Sequence, residues 1–175
     1  IDHGIIPPTI YVGSHANTKA IANSRAQDEN GMQMAMQYRN FEYVDYDEAM
    51  AGMPELKDRF KNHMRYFVEE LITGVERELH QRPDRSARIF YGYSNGAGFG
   101  ATLLNRHPTL IGTFICYSTL GSKASENTWD PEITYPRLYL QYGDQEGQAF
   151  KQEAELLQEK YREVDSFCDL KSFDG

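Results

Sequence analysis

Residues 91–100 read YGYSNGAGFG, a stretch with four glycines and one serine that follows an apolar run and precedes a helical pattern. Glycine allows backbone segments to approach closely, so this stretch predicts a sharp passage from a strand into a helix. Proteins use such a passage for three different sites, which hold a nucleophilic serine, a dinucleotide or a phosphate group. The junction therefore constrains both the fold and the chemistry of the chain.

The rest of the chain alternates short apolar runs with amphipathic stretches, a pattern typical of α/β proteins with a parallel sheet. Five apolar runs predict strands, at residues 9–13, 87–94, 111–120, 136–143 and 166–173. The last run alternates in part, as an edge or near-edge strand does. Three amphipathic stretches predict helices, at residues 56–79, 95–107 and 148–164. The polar, Met-rich residues 17–55 predict an irregular excursion over the top of the sheet.

Side-chain spacing indicates how two of these helices pack. In the first helix, six apolar residues recur at spacings of three and four: Phe60, Met64, Phe67, Leu71, Val75 and Leu79. They form one stripe that we expect to face the core, with His63 and His80 on or near the solvent-exposed polar side. The second helix begins with small residues that predict close packing on the sheet: Ala97, Gly98, Gly100 and Ala101.

Two of the three possible sites at the glycine-rich stretch lack a required part. Residues 96–101, GAGFGA, fit the dinucleotide pattern G-x-G-x-x-[GA], but that site also needs an acidic residue at the end of the next strand. Residues 116–119 read CYST and contain no carboxylate. A phosphate loop needs the pattern G-x-x-x-x-G-K-[ST], and no lysine lies near Gly96. We therefore expect no bound cofactor.

Residues 92–96, GYSNG, match the pattern G-x-S-x-G at the end of a predicted strand. In this arrangement a strained turn lifts the serine above the sheet, and the flanking glycines avoid collisions with neighbouring backbone. The following helix directs its N-terminus at the serine, so the N–H of Asn95 becomes a hydrogen-bond donor to an oxyanion. The pattern predicts Ser94 as a nucleophile, and the alternative is a glycine-rich packing turn with an inert serine.

An orienting carboxylate is expected after the fourth predicted strand, because functional groups gather at the carboxyl ends of parallel strands. Asp144 and Glu146 lie there, and either could orient an imidazole, whereas solvated loop acids are the alternative. None of the five histidines follows these acids: His3, His15, His63, His80 and His107. We expect His15, which follows a predicted strand, to line a substrate pocket. The chain has no H-x-x-x-H pattern or Cys/His cluster, so we expect no metal.

Charge and hydropathy limit the partners. The 175 residues suffice for one domain and carry a net charge of −8 without a basic cluster, which argues against nucleic acid as a partner. No apolar run is long enough to span a membrane. We expect a soluble protein that acts on a small molecule, and cytoplasmic, periplasmic and secreted locations and the oligomeric state stay open. Cys116 and Cys168 lie in apolar stretches and are predicted to be free thiols.

Several stretches resemble the esterase family of α/β hydrolases that includes enterochelin-type siderophore esterases, S-formylglutathione hydrolase and feruloyl esterases. Residues 1–14 are similar to the strand before the family's excursion, and Arg25 and Asp28 fall where the family has Arg-x-x-Glu. Residues 66–76, YFVEELITGVE, resemble its FLxEELIPxVE helix. Residues 92–112 resemble its serine turn, the following helix and the next strand.

The resemblance implies an α/β-hydrolase fold, a mostly parallel sheet flanked by helices, in incomplete form. Residues 1–175 are then expected to be part of one catalytic domain that lacks its N-terminal strands and the end after its last strand. The implied activity is hydrolysis of a carboxylic ester through an acyl-enzyme. Two alternatives stay open, an acyltransferase on the same fold and a non-catalytic binding module that keeps the serine turn. Asn95 replaces the family's Met and Ala97 its second Gly, which leaves the substrate open.

Position by position, the resemblance assigns catalytic roles to three residues: the nucleophile Ser94 and the acid Glu146, with Asp144 second. The family's histidine follows the last strand, in a turn that would begin at Gly175 or just beyond. Independently of the resemblance, we expect Ser118, at the end of the third predicted strand, to line the substrate pocket together with His15.

Overall fold

The computed structural model describes residues 9–17, 26–27, 33–34, 38–48 and 51–174. Near the N-terminus are three short elements: antiparallel strands β1 (Ala26–Gln27) and β2 (Gln33–Met34), and helix α1 (Tyr38–Tyr43). The predicted excursion at residues 17–55 is otherwise without regular helix or strand where it is described, and the rest of it lies outside the described residues.

The prediction of a strand at residues 9–13 is wrong. Residues 9–17 contain no regular secondary structure. Ile10, Tyr11 and Val12 are 51%, 80% and 45% exposed. A strand is held by hydrogen bonds to a neighbouring strand, and no described strand pairs with this segment. The run thus has the composition of a strand without the pairing that makes one.

A long helical segment confirms the predicted helix at residues 56–79. It consists of three consecutive parts: α2 (Arg59–Arg65), a π-helical stretch (Tyr66–Leu71) and α3 (Ile72–Glu78). Phe60 and Met64 of the predicted stripe are buried, whereas Leu79 is 43% exposed. None of the helices in the described parts of the chain is long and apolar enough to cross a lipid bilayer.

Four parallel strands form the central sheet, in the order β3 (Ile89–Tyr93), β4 (Thr113–Tyr117), β5 (Arg137–Gly143) and β6 (Cys168–Phe173). Two of the connections are the other predicted helices, α4 (Asn95–Arg106) between β3 and β4 and α5 (Gln148–Glu163) between β5 and β6. Four of the five predicted strands are therefore confirmed, with slightly shorter bounds. Because all four strands are parallel, their carboxyl ends lie at one edge of the sheet.

The core lies on one face of this sheet. Phe90, Phe114 and Leu138 belong to it and come from β3, β4 and β5. Phe99 of α4 is 2% exposed, and its ring lies within 6.4 Å, between ring centroids, of five aromatic or imidazole rings: Tyr43, Phe60, His63, Phe67 and Phe90. This ring cluster joins α1, the long helical segment and α4 to the sheet.

The opposite face of the sheet is open along β3 within the described part of the chain. Ile89, Tyr91 and Tyr93 are 62%, 63% and 61% exposed. Their neighbours Phe90 and Gly92 are buried, so the strand alternates between a covered and an uncovered face.

Helix α4 packs on the sheet through residues with small side chains. Ala97, Gly98, Gly100 and Ala101 are all buried, which confirms the close packing that the sequence predicts. A Cβ atom at Gly98 would overlap the carbonyl oxygen of Leu120, and one at Gly100 would overlap the ring of Phe90. The helix can lie this close only because both positions lack a side chain.

We expect Gly98→Ala to lower the free energy of unfolding by about 2 kcal/mol or more, because the added methyl group meets backbone that cannot rotate away. Gly96→Ala is the matched control, since a Cβ atom there meets nothing within 4 Å and alanine favours the helix. Urea unfolding followed by circular dichroism measures both variants. Equal stability of the two would contradict the close approach of α4.

Candidate active site

Polar residues follow three neighbouring strands at the carboxyl edge of the sheet. Ser94 follows β3, Ser118 follows β4, and Asp144 and Glu146 follow β5. In open parallel sheets, ligands bind at this edge, outside the carboxyl ends of the strands. The fold therefore brings four of the residues predicted from the sequence to the same edge.

Ser94 occupies a strained turn between β3 and α4. Its backbone angles, φ 55° and ψ −124°, lie in a region that residues with side chains rarely adopt. Its N–H donates to the carbonyl of Tyr117 in β4 (2.9 Å), and its own carbonyl accepts from the N–H of Gly98 (3.0 Å). The side chain makes no capping hydrogen bond to α4. The hydroxyl is thus held at the N-terminus of a helix without serving to cap it.

Of the two glycines that flank this turn, only one is required by close contacts. A Cβ atom at Gly92 would lie 2.6 Å from the carbonyl oxygen of Gly96 and 2.8 Å from the backbone nitrogen of Ala97. The same expectation for Gly96 is wrong, because a Cβ atom there meets nothing within 4 Å. The α-carbon of Gly96 faces open space, so the geometry of the turn depends on Gly92.

The two candidate acids, Glu146 and Asp144, differ in their surroundings. Oε1 of Glu146 accepts a hydrogen bond from the Ser118 hydroxyl (2.6 Å), and Oε2 accepts one from the N–H of Gly143 (2.9 Å). Asp144 is exposed, and its backbone N–H donates to the carbonyl of Phe173 at the end of β6 (2.9 Å). The carboxylate of Glu146 is therefore half-buried and anchored through both oxygens at the edge of the sheet.

Ser118 is 3% exposed, and its hydroxyl is directed at Glu146. Its N–H donates to the carbonyl of Gln141 in β5 (2.8 Å), and its φ of 49° lies in the left-handed region. Its assignment to the substrate pocket stays a prediction. Its contact with Glu146 spans 28 residues of sequence, and no local pattern points to it.

Asn95 connects the serine turn to α1. Its side-chain amide donates to Oδ1 of Asn40 (3.4 Å), a residue that the sequence did not single out because it lies inside the irregular excursion. The first N–H groups of a helix have no partner within the helix. Asn95 is the first residue of α4 and directly follows Ser94. The role of its backbone N–H as an oxyanion donor stays a prediction.

Four histidines fall within the described residues, and three of them lie outside the core: His15, His80 and His107. Among the described imidazoles, none forms a hydrogen bond with Ser94 or Glu146; His63 contacts the Ser14 hydroxyl instead. His15 is exposed, and its place in a substrate pocket stays a prediction. His3 lies outside the described residues.

His63 is buried, so the prediction of a solvent-exposed position is wrong. It is 8% exposed, and its ring lies against those of Tyr43 and Phe99, at centroid distances of 5.2 and 5.3 Å. Its Nε2 lies 3.4 Å from the Ser14 hydroxyl. Burial lowers the pKa of His63, and the negative charge of Glu42 opposes that shift. Helix α1 packs on this side of α2, which the spacing within α2 cannot reveal.

Cys116 and Cys168 are free thiols, as predicted, with Cys116 buried and Cys168 half-buried. Burial raises the pKa of both thiols, that of Cys168 to about 12, so both are protonated and poor nucleophiles at neutral pH. In the ranges that the structure describes, no group of three or more His, Cys, Asp or Glu residues is placed to hold a metal ion.

Solved structures with a similar fold include two esterases and a transferase. The ferulic acid esterase of the anaerobic fungus Anaeromyces mucronatus has a TM-score of 0.52 and 17% identity, over 68% of this chain and 48% of its own. The carboxylesterase of Bacillus cereus has a TM-score of 0.52 and 14% identity, over 67% of this chain and 53% of its own. The capsule O-acetyltransferase of Neisseria meningitidis serogroup A has a TM-score of 0.51 and 12% identity, over 79% of this chain and 61% of its own.

These likenesses establish the fold. The parallel sheet with helices between its strands is an α/β-hydrolase fold in incomplete form, which confirms the fold that the resemblance implies. The match spans about half the length of the two esterases. No family model matches the chain, and no curated protein matches it in sequence.

Burial of His63 predicts a specific dependence of stability on pH. Because its pKa is lowered in the folded chain, the unfolded chain binds the proton more tightly. Stability should be complete above the ordinary histidine pKa of about 6.5 and fall as the pH drops below it. Burial also lowers the pKa of His107, so this residue contributes to the loss of stability at low pH in the same direction.

We expect His63→Gln, which keeps a polar side chain but cannot be protonated, to lose less stability than the wild type between about pH 7.5 and 5. The exposed His80→Gln is the control and should follow the wild-type profile. Urea unfolding at a series of pH values measures the difference. An unchanged pH dependence in His63→Gln would show that His63 does not carry it.

Proposed function

We propose that the chain is a serine hydrolase that cleaves carboxylic esters through an acyl-enzyme on Ser94. The observation that carries the proposal is the strained turn of Ser94 at the N-terminus of α4, at the same sheet edge as the anchored carboxylate of Glu146. This is the placement that serine hydrolysis requires of a nucleophile and an orienting acid. The fold supports the proposal, since solved structures that share it include a ferulic acid esterase and a carboxylesterase.

In the proposed reaction, Oγ of Ser94 attacks the carbonyl carbon of the ester while an imidazole takes the hydroxyl proton. The oxyanion of the tetrahedral intermediate accepts a hydrogen bond from the N–H of Asn95, at the positive end of the α4 dipole. The C–O bond to the alcohol then breaks, and the imidazole returns its proton to the departing oxygen. Water attacks the acyl-enzyme in the same way, which releases the carboxylic acid and restores Ser94.

We assign Glu146 to orient the imidazole. Hydrogen bonds from Ser118 and Gly143 fix both carboxylate oxygens, and each oxygen keeps a lone pair that can accept from an imidazole N–H. The resemblance to the esterase family places the histidine after β6. The carbonyl of Phe173, the last residue of β6, accepts from the N–H of Asp144, so β6 ends beside the turn that carries Glu146.

Acyl transfer to an alcohol is the second candidate, because the capsule O-acetyltransferase of Neisseria meningitidis shares the fold over 79% of this chain. The first half of that reaction is the same, and an alcohol replaces water in the second half. Mass spectrometry of products formed in the presence of a primary alcohol distinguishes the two. A hydrolase gives mainly the free acid, and a transferase gives mainly the new ester.

Ser94→Ala in the full-length protein should lower kcat for a short-chain p-nitrophenyl ester by at least about a thousandfold, because it removes the nucleophile. A fluorophosphonate probe should label the wild type and leave the variant unlabelled. Ser125→Ala is the control, at an exposed serine in the loop after β4. It should keep the wild-type turnover of the ester and the labelling by the probe. Full turnover by Ser94→Ala would refute the acyl-enzyme.

Glu146→Gln should lower kcat by roughly a thousandfold, because a neutral amide does not stabilise the imidazolium that forms during the reaction. Asp144→Asn, at an exposed position, should stay within about twofold of the wild type. The two variants are measured side by side with the same ester. The opposite ranking would identify Asp144 as the acid.

A further inference from the structure

We propose that Ser118 is a positioning residue of the site, which holds the carboxylate of Glu146 in the orientation needed to receive an imidazole. The inference rests on the proposed function and deepens it, because it adds a side chain that acts on the reaction through Glu146. It follows from three observations: the hydrogen bond to Glu146, the burial of Ser118 and its backbone conformation.

The hydrogen bond is directed and short. An ionised carboxylate only accepts hydrogen bonds, so the Ser118 hydroxyl is the donor to Oε1 of Glu146 at 2.6 Å. That distance is typical of a hydroxyl bound to a charged oxygen, an interaction about twice as strong as one between neutral groups. Because Ser118 is 3% exposed, its hydroxyl has little access to water as a competing partner. The carboxylate of Glu146 is therefore the partner that satisfies it.

The backbone of Ser118 also has a conformation that is uncommon for a residue with a side chain. Its φ of 49° is in the left-handed region, which glycine adopts freely and a serine adopts only when its surroundings hold it there. Residues in such conformations cluster at functional sites. Ser94, at the end of the neighbouring strand β3, also has a positive φ, of 55°. Two adjacent strands of the sheet thus end in serines with strained backbones at one edge.

The effect on the site follows from the two anchors of Glu146. The terminal torsion of a glutamate side chain is soft, so a carboxylate held through one oxygen can turn about it. The N–H of Gly143 holds Oε2 and the Ser118 hydroxyl holds Oε1, and together they fix the plane of the group. Loss of the Ser118 hydroxyl would leave the Gly143 contact alone. The imidazole would then meet a carboxylate whose orientation varies.

The experiment compares Ser118→Ala with Ser118→Gly in the full-length protein, with a short-chain p-nitrophenyl ester as the substrate. Both variants lack the hydroxyl, but glycine relieves the backbone strain that alanine keeps, so their stabilities should differ while their activities agree. We expect kcat to fall roughly tenfold in both, with KM within about twofold of the wild type. On the Glu146→Gln background, Ser118→Ala should change kcat by less than about twofold, because the group it positions is already gone.

Three outcomes would overturn the inference. Wild-type kcat in both Ser118 variants, together with an inactive Ser94→Ala, would remove the role of Ser118 and leave the proposed function standing. A loss that repeats in full on the Glu146→Gln background would show that Ser118 acts by a general structural effect. Full turnover by Ser94→Ala would remove the proposed function itself, and this inference with it.

Discussion

Helix α4 lies so close to β3 and to the loop after β4 that a side chain at Gly92 or Gly98 would meet backbone atoms. The same approach buries Phe99 among the rings that connect the long helical segment to the sheet. It also leaves only one residue, Ser94, to reverse the direction of the chain between β3 and α4, and a reversal in one residue requires an unusual backbone conformation. Core packing and the strained serine turn therefore have a common cause in the small residues at this junction.

The register of the parallel strands determines which side chains meet at the edge of the sheet. The N–H of Ser94 bonds to Tyr117, and the N–H of Ser118 bonds to Gln141, so each serine continues the hydrogen-bond ladder one residue past its strand. A register shift of one residue would turn every side chain of the shifted strand to the opposite face. The contact between Ser118 and Glu146 thus depends on the pairing of whole strands as well as on the loops that carry the two residues.

Elements with strong local patterns could be predicted from the sequence. The runs that became β3 to β6 are short and mostly apolar, and the first of the longer helices repeats apolar residues at helical spacing. Residues 9–13 have a similar composition, but a strand also needs a partner, and composition carries no information about pairing. His63 was misplaced for a related reason, since the helix that buries it comes from the irregular excursion.

In the candidate site, too, some features could be predicted from local sequence and others could not. Ser94, Asp144 and Glu146 could be named from the sequence because each directly follows an apolar run, and position after a strand is a local property. The residues alone left the choice between the two acids open, and only the resemblance to the esterase family ranked Glu146 first. The hydroxyl that anchors Glu146 lies 28 residues away in the sequence. The contact of Asn95 with Asn40 spans 55 residues and was equally invisible. Local sequence thus identified the strand ends, whereas the contacts among the groups that they carry depend on long-range packing.

The π-helical stretch Tyr66–Leu71 changes the phase of the long helical segment. A π turn contains more residues than an α turn, so side chains beyond it are rotated about the axis relative to an uninterrupted α-helix. The stripe that begins with the buried Phe60 and Met64 therefore no longer faces the core at Leu79. Val68 and Ile72, which lie outside the predicted stripe, pack against the core instead, so the core-facing side of the segment passes to neighbouring positions along the chain.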